Sequence, residues 1–515
     1  MSNQFPTIAA LAACVALARP AHAQDSAGGL TTQAAVEIAV QNNPSLHIAL
    51  LQHEQAKYAV KEQEALYDAI FSANASYAHN GSPTLRGTDG TIVSVSDIAV
   101  LGAGLNKTFS TGTSVGVSVT GQRRVSRSPP LNNVGGQTAT GPAYSLIGTL
   151  TLSQPFLRGA WNTVGLASVR VARLNRTAAQ LSALQAGSQV LHDVLIDYWE
   201  LWYSAEAAQI IEASRDLAKA LEEQAREQVK SGTLAKVDSL PFSTQLAEQE
   251  ESLVQQTTDR KQRALALAQA LGQAGRTGPD LRSADTPPEV ELEDTSTQAV
   301  DDALAASYEL KRLQAELEVA QYQAKIAGDS LRPSLNLDAS LSAQGLGNRA
   351  VFPAFEQFGK MDAVSAQVGL TFETPVSSAR KNAQIQGALL SAHITEKQIE
   401  GARQQLRTDV QAAIARRNAA KSRFEMAQVT ERVAGQLAEG QRGKFLAGTA
   451  LAIEVQKADD SLRQAQLRVQ RARVDLVEGE LDLLHLRGKL LERYADVLKR
   501  LTPHALTLDD AREPM

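Results

Sequence analysis

Residues Leu335 to Gln344 read Leu-Asn-Leu-Asp-Ala-Ser-Leu-Ser-Ala-Gln, apolar and polar side chains in alternation. Successive side chains of an extended strand point to opposite faces, so Leu335, Leu337, Ala339 and Leu341 share one face while Asn336, Asp338, Ser340 and Ser342 share the other. The Ala- and Gln-rich chain on both sides reads instead as helix. Three more segments alternate in the same way. Val364, Ala366, Val368, Leu370 and Phe372 stand against Ser365, Gln367, Gly369, Thr371 and Glu373. Phe71, Ala73, Ala75 and Tyr77 stand against Ser72, Asn74 and Ser76, and Leu146, Gly148, Leu150 and Leu152 against Ile147, Thr149, Thr151 and Ser153. Four main strands per chain are expected.

Each strand is near the roughly 9 to 11 residues that cross a bilayer at a tilt, apolar outside and polar inside. A closed, water-filled β-barrel explains that pattern, because its backbone groups pair around the ring and its polar face meets solvent. The plainer reading is the edge of a soluble sheet resting on helices. Four strands fall short of the roughly eight in the smallest common barrels, so several copies of the chain must contribute. Periodicity leaves two copies or three open.

The chain repeats internally. Ala35-Val-Glu-Ile-Ala-Val40 aligns with Ala299-Val-Asp-Asp-Ala-Leu304, and the offset of 264 carries Leu46 onto Leu310, Tyr58 onto Tyr322, Lys61 onto Lys325 and Ser76 onto Ser340. Pro155 of Gln154-Pro-Phe-Leu-Arg-Gly159 meets Pro375 of Glu373-Thr-Pro-Val-Ser377 at an offset of 220, so the first repeat holds 44 extra residues between its two strands, near 81 to 143. That insertion has a hairpin signal of its own: Leu101 to Phe109, a Ser110-Thr-Gly112 turn, then Val115, Val117 and Val119. It is expected to lengthen the extracellular hairpins or to cover the mouth in part.

Long proline-free stretches follow each strand set, Asn162 to Lys230 before Gly232 and Ser378 to Leu446 before Gly448, each roughly 100 Å long if helical. Helix from Ala235 to about Leu271, a Gly/Pro/acidic linker over Gly272 to Thr295, and helix from Thr297 to about Asp329 would together run back beside the first. Ala450 to Tyr494, with Thr32 to Tyr67 above it, would do so for the second. Leu462, Val469, Leu476, Leu483 and Leu490 recur every seven residues, with Ala465, Ala472 and Gly479 between them; this spacing argues for close coiled-coil packing, the plainer reading being an ordinary bundle helix. The fold class is thus mainly α with β, a long coiled-coil helical part plus a β-barrel completed by association of chains. The expected organisation is a signal peptide over 1–23, a first repeat over 24–275, a linker over 276–296, a second repeat over 297–495 and a tail over 496–515 that looks disordered after Pro503.

The start of the chain reads as an export signal, an apolar run from Ile8 to Ala18 before Ala21-His-Ala23. Two outcomes stand: cleavage after Ala23, or, since Leu11-Ala-Ala-Cys14 resembles a lipobox, lipidation of Cys14. Cys14 is the only cysteine, so a conventionally cleaved chain forms no disulfide. Beyond the signal no run approaches about 18 apolar residues, which excludes a transmembrane helix. With 51 Lys plus Arg against 56 Asp plus Glu there is no nucleic-acid footprint. The eight His have no zinc spacing, Gly440-Gln-Arg-Gly-Lys444 is too short for a phosphate loop, and no nucleophile elbow occurs. No enzyme, cofactor or metal site is indicated.

From about Leu30 to Tyr494 the chain resembles the TolC-like outer-membrane efflux proteins. The match is carried by the two repeat openings, by Gln154 to Gly159, and by the helical tips Lys230-Ser-Gly-Thr233 and Leu446-Ala-Gly-Thr449. The resemblance implies a homotrimer in the outer membrane of a Gram-negative bacterium. Its 12-strand barrel would sit among outer-membrane lipid and continue into a periplasmic helical barrel. It would serve as the passive exit duct of a tripartite efflux or type I secretion system, joined through a periplasmic adaptor to an inner-membrane pump. It further implies that Gly232, Thr233, Gly448 and Thr449 dock the adaptor, and that Asp238 and Glu454, six residues past the turn glycines, line the periplasmic entrance. At the family's second acidic position stands Lys457, with Asp459 and Asp460 following; on an isolated helix these three read as a solvated face. The alternative function is a periplasmic coiled-coil adaptor or scaffold that uses its hairpins only to bind partners. An adaptor should carry one hairpin and usually an inner-membrane anchor, whereas this chain has two equivalent hairpins and no anchor helix.

Overall fold

The computed structural model describes residues 29–497, except 86–90, 129–137, 161–164, 276–279, 290–295, 375, 378 and 448. The expected signal peptide with Cys14, the tail beyond 497 and Gly448 lie outside the described residues. Helices dominate, and one sheet of six antiparallel strands stands at one end in the order β1-β2-β3-β4-β5-β6.

Among the described residues the first two helices are α1 (Thr32–Asn42) and α2 (Pro44–Ala65). They start where side chains can satisfy free backbone N–H groups: Thr31 accepts from the N–H of Ala34, and Asn43 from those of Ser45 and Leu46, with Pro44 at a position that has no N–H to satisfy. Strands β1 (Ile70–Leu85), β2 (Thr91–Thr108), β3 (Ser114–Ser128) and β4 (Thr138–Pro155) follow. Next comes α3 (Ala167–Lys230), then α4 (Lys236–Ala270). The second half repeats the scheme with α5 (Ser296–Ala306), α6 (Tyr308–Asp329), β5 (Ser334–Asn348), a short α7 (Phe352–Lys360), β6 (Val364–Glu373), α8 (Ala379–Leu446), α9 (Ala452–Leu486) and α10 (Leu490–Arg493). Every boundary of α1 and α2 reappears 264 residues later in α5 and α6, and the Asn43 cap is replaced there by Ser307, which accepts from the N–H of Leu310.

The strand count corrects the sequence expectation of four per chain. The insertion adds to the sheet itself: β2 and β3 enter between β1 and β4, so that β1 pairs with β2 rather than β4 and six strands share one ladder, and the β1–β2 ladder continues from His79 to Leu85, past the level of the last β4–β5 pair, Ala143 with Asn348. The turns at 86–90 and 129–137, where the insertion could cover the mouth, lie outside the described residues. A hairpin can be spliced into an antiparallel sheet because it adds one strand of each direction, leaving every neighbour antiparallel.

A second correction concerns the helices. The sequence order suggested that α4 and α6 together return beside α3, and α9 with α2 beside α8. The columns are crossed instead. The Asn43 side chain donates to the Ala270 carbonyl at 2.7 Å, stacking the end of α4 under the start of α2. Arg487 and Lys489 reach Asp302 at 2.7 and 3.0 Å, stacking the end of α9 under α5 and α6. Side by side, the upper layer runs α2, α3, α6, α8 and the lower layer α4, α3, α9, α8. The chain therefore has two free flanks: α4, α2 and β1 on one side, α8 and β6 on the other.

The main core lies at mid-height, around Tyr198 near the centre of α3. Tyr198, Leu191, Leu195 and Leu201 are fully buried beside Trp199 and Trp202, against Val36 and Val40 of α1, Leu267 of α4 and Val474, Val477 and Leu481 of α9. The Tyr198 hydroxyl donates to the Leu30 carbonyl at 2.8 Å and accepts from the Asp285 N–H at 3.0 Å, and the Asp285 carboxylate accepts from both the N–H and the hydroxyl of Thr32. One buried phenol thereby straps the segment just before α1 and part of the linker to the middle of α3. The seven-residue repeat of α9 faces inward: Val469, Leu476 and Leu483 are buried together with Ala465 and Ala472. At Gly479 a Cβ would come within 3.2 Å of Arg417 on α8, the close helix approach that small residues permit.

Candidate functional site: a membrane wall and two helical tips

The register carries single rows of residues across all six strands. One row runs Ala73, Ala103, Val119, Gly148, Ala343, Val364, and the next Phe71, Leu105, Val117, Leu150, Leu341, Ala366. Between them, on the opposite face, lie Ser72, Gly104, Ser118, Thr149, Ser342 and Ser365. The apolar face is left open: Phe71, Leu101, Val368, Leu370 and Phe372 are all more than 60% exposed. A soluble sheet would bury such a face against helices, but here the long helices pack on one another and only the short α7 rests on part of the face, over β4 and β5. The polar face carries its own hydrogen bonds, with Ser153 donating to Asp338 at 2.7 Å and Thr371 at 3.3 Å. Small and polar on one side, apolar on the other, the sheet is a wall suited to lipid and water.

Sequence reasoning passed over α7. It lies on the apolar face of β4 and β5 at the end away from the long helices, where Gly148, Gly345 and Gly347 make room: a Cβ on Gly148 would meet the Phe358 ring at 2.7 Å. Phe352 and Phe355 remain exposed beside it. The three-residue spacing of Phe352, Phe355 and Phe358 after Val351 was the available signal. Aromatic rings at the rim of an apolar band suit a membrane–water interface.

At the far end are the two helical tips. Gly232 takes φ +78°, a left-handed conformation that ends α3, and its surroundings are open. Thr233 then turns both its N–H (3.0 Å) and its hydroxyl (3.1 Å) to the Gln228 carbonyl. Thr449 repeats this at the other tip, reaching the Lys444 carbonyl with N–H at 2.9 Å and hydroxyl at 3.0 Å. Both threonines are exposed. Asp238 and Glu454 are exposed in the first turns of α4 and α9, where the helix dipole favours a carboxylate. Lys457 is exposed on the next turn.

Asp459 and Asp460 do not lie on a solvated face, as expected from an isolated helix. They turn into the groove between the two hairpins, because α9 packs on α8, α3 and α4 at once. Asp459 accepts from Arg442 Nε at 2.8 Å and Nη2 at 2.6 Å; burial lifts its carboxyl above the usual range, and the guanidinium opposes this. Asp460 accepts from Gln245 of α4 at 2.9 Å. Beneath them Phe242 and Phe445 meet with ring centroids 5.4 Å apart. These contacts tie one tip to the other.

Higher up, Arg471 of α9 gathers three carboxylates: Glu200 and Asp475 at 2.6 Å and Glu478 at 2.9 Å. Burial pushes Glu478 up despite Arg471, whereas at Glu200 the hydrogen bonds from Arg471 outweigh burial and hold it down. This network spans α3 and α9 and was invisible in the sequence, where its members lie some 270 residues apart.

The chain thus joins a sheet with an open apolar face to two long helical hairpins, whose unbroken helices of 64 and 68 residues are each roughly 100 Å long. Residues 299–489 match the family model described as outer membrane efflux protein. Among solved structures the chain is similar to the outer membrane protein VceC of Vibrio cholerae, with a TM-score of 0.63 at 16% identity over 89% of this chain and 96% of that one. It is similar to the CmeC outer membrane channel of Campylobacter jejuni at 0.65 and 14%, over 93% and 90%. To the open state of the MtrE outer membrane channel of Neisseria gonorrhoeae the values are 0.61 and 17%, over 89% of each. No curated protein matches by sequence. The match to the family model thus covers the second half of the chain, and the chain as a whole has the fold of these outer membrane proteins.

Proposed function

We propose that the protein is the outer-membrane exit duct of a tripartite efflux or type I secretion system: a homotrimer that passes cargo passively while an inner-membrane pump, reached through a periplasmic adaptor, supplies the energy. The observation that carries this reading is the pair of free flanks. Ile48, Leu51 and Tyr58 of α2 and Val254 of α4 are exposed on one flank; Leu389, Leu390 and Ile394, then Met426, Val429, Val433 and Leu437, are exposed along α8 on the other. Met426, Val429, Val433 and Leu437 recur every three to four residues, the spacing of one helix face. Two different apolar surfaces on opposite sides of one chain fit a head-to-tail contact that closes into a ring. The free edges of β1 and β6 lie on the same two flanks, so the contact that closes the helices also closes the sheet.

In that ring the exposed Thr233 and Thr449, with Gly232 and Gly448, are the adaptor-docking tips. Three copies each of Asp238 and Glu454 surround the entrance and favour cations, since like charges around a narrow opening focus the potential. Lys457, one turn further on, subtracts from that field. In planar-bilayer recordings the full chain should conduct with a cation preference, and Asp238→Asn with Glu454→Gln should reduce that preference while leaving a conducting pore. Absence of conductance in either form would overturn the duct; unchanged selectivity in the variant would overturn the entrance assignment.

A further inference from the structure

We infer that the assembled wall holds eighteen strands, six from each of three copies, and that the inserted hairpin widens the pore. This rests on the ring proposed above and deepens it. Both flanks of the hairpin are fully laddered: β2 pairs with β1 from Leu105 opposite Phe71 to Thr91 opposite Leu85, and β3 pairs with β4 from Val115 opposite Leu152 to Arg123 opposite Tyr144. Peeling the hairpin away would leave two rows of backbone groups unpaired in hydrocarbon, where no water can take the place of the lost partner strand.

The side chains of β2 and β3 follow the same division as the rest. Leu101, Ala103, Leu105, Val117 and Val119 join the apolar face; Gly102, Gly104, Gly116, Ser118 and Thr120 line the other. The lining is small, as a wall needs and a plug does not. Both ends of the hairpin are anchored in the fold. At its turn Phe109 bonds the Thr113 carbonyl at 2.8 Å, and Gly112 (φ +85°) sits so close to Gly159 and Pro155 that a Cβ would meet them at 2.6 and 2.8 Å. Toward the other end Asp97 accepts from Tyr77 at 3.0 Å and from Arg127 at 2.8 Å, and pairs with His79 at 2.6 Å, bridging β1, β2 and β3.

Width supports the count. Four helical columns roughly 9 Å apart span ~36 Å of circumference per chain. Six strands ~4.8 Å apart and tilted ~40° span ~38 Å, whereas four would span only ~25 Å. Eighteen such strands close at a diameter of ~36 Å between strand axes, against ~24 Å for twelve. The sheet so continues the helical ring without narrowing, and the periplasmic tips become the constriction on cargo size.

Disulfide trapping in outer-membrane preparations tests this on the folded, full-length chain. Ala73→Cys with Ala103→Cys, and separately Val119→Cys with Gly148→Cys, should cross-link within one chain, because these residues are direct cross-strand partners. Ala73→Cys with Gly148→Cys should not, since three strand spacings, ~14 Å, exceed disulfide reach. Cross-linking of this last pair, with loss of the first two, would mean that the hairpin stands outside a twelve-strand wall. Unheated gels of the same samples separate the two proposals: a trimer with the wrong cross-link refutes the strand count alone, whereas a chain that never forms a trimer refutes the duct as well. Electron cryomicroscopy of the unmodified trimer counts the strands without any substitution, eighteen supporting the inference and twelve overturning it.

Discussion

The two halves of the chain agree in their helices and differ in their strands. Helices α1 and α5 both have 11 residues, α2 and α6 both 22, and α4 and α9 both 35. Among the described residues the first half contributes four strands and the second two. Helical columns must keep their lengths because caps, linkers and tips have to meet at the same heights, as Asn43 meets Ala270 and Arg487 meets Asp302. A sheet tolerates growth sideways, provided that strands come in pairs. The halves differ again in their middle. The first half packs Tyr198, Trp199 and Trp202 at mid-height, while the corresponding stretch of α8 offers Ile414 and Ala413.

That second difference can be broken by substitution. Tyr198→Ala should cost about 3–5 kcal/mol, the usual loss for a large buried aromatic, whereas Ile414→Val should cost about 0.5–1.5 kcal/mol. Denaturant midpoints in detergent, followed by circular dichroism, measure both; equal losses would mean that the aromatic centre does not dominate. Next, Arg471→Ala leaves Glu200, Asp475 and Glu478 facing one another. Because Arg471 is about one-third exposed, we expect about 2 kcal/mol rather than the full penalty of a broken buried pair. The loss should shrink at acidic pH, as the carboxylates neutralise. Removing one tip hydroxyl, Thr233→Val or Thr449→Val, should cost about 1 kcal/mol or less, and equally at both tips, since the two hydroxyls make the same bond.

The smallest effect is a pH dependence at His192, which pairs with Asp482 at 2.8 Å. Burial opposes charging of His192, but the hydrogen bonds that it donates to Asp482 and Asp193 prevail and raise it; the bond accepted from His192 lowers Asp482 against its own burial. A raised histidine contributes stability that is complete below its unfolded value and lost as pH rises through the folded one. A depressed carboxylate contributes above its unfolded value and loses it as pH falls. The pair is thus strongest in the mildly acidic window between them, and His192→Gln should flatten the stability profile there.

Much of this was legible. Strand alternation, the duplicated plan and the inward heptad of α9 are local patterns, and a single chain displays them. Pairing is not local: the Val115, Val117, Val119 run announces a strand, but only the ladder to Leu152 and Leu150 says that it belongs to the wall. The crossed columns were hidden for the same reason, since Asn43 carries no mark that its partner is Ala270. Asp459 and Asp460 depart from the expected solvated face because a helix with neighbours on several sides has no single one. Of the candidate site residues, Asp238, Glu454, Lys457, Thr233 and Thr449 are placed at the exposed tips; their duties in the duct rest on the proposal.

Native mass spectrometry of the detergent-purified chain tests the central claim most directly, because everything depends on the α8 and β6 flank of one copy meeting the α2, α4 and β1 flank of the next. Three copies in one particle is the predicted result. A single copy that stays dispersed after the detergent is removed would contradict it.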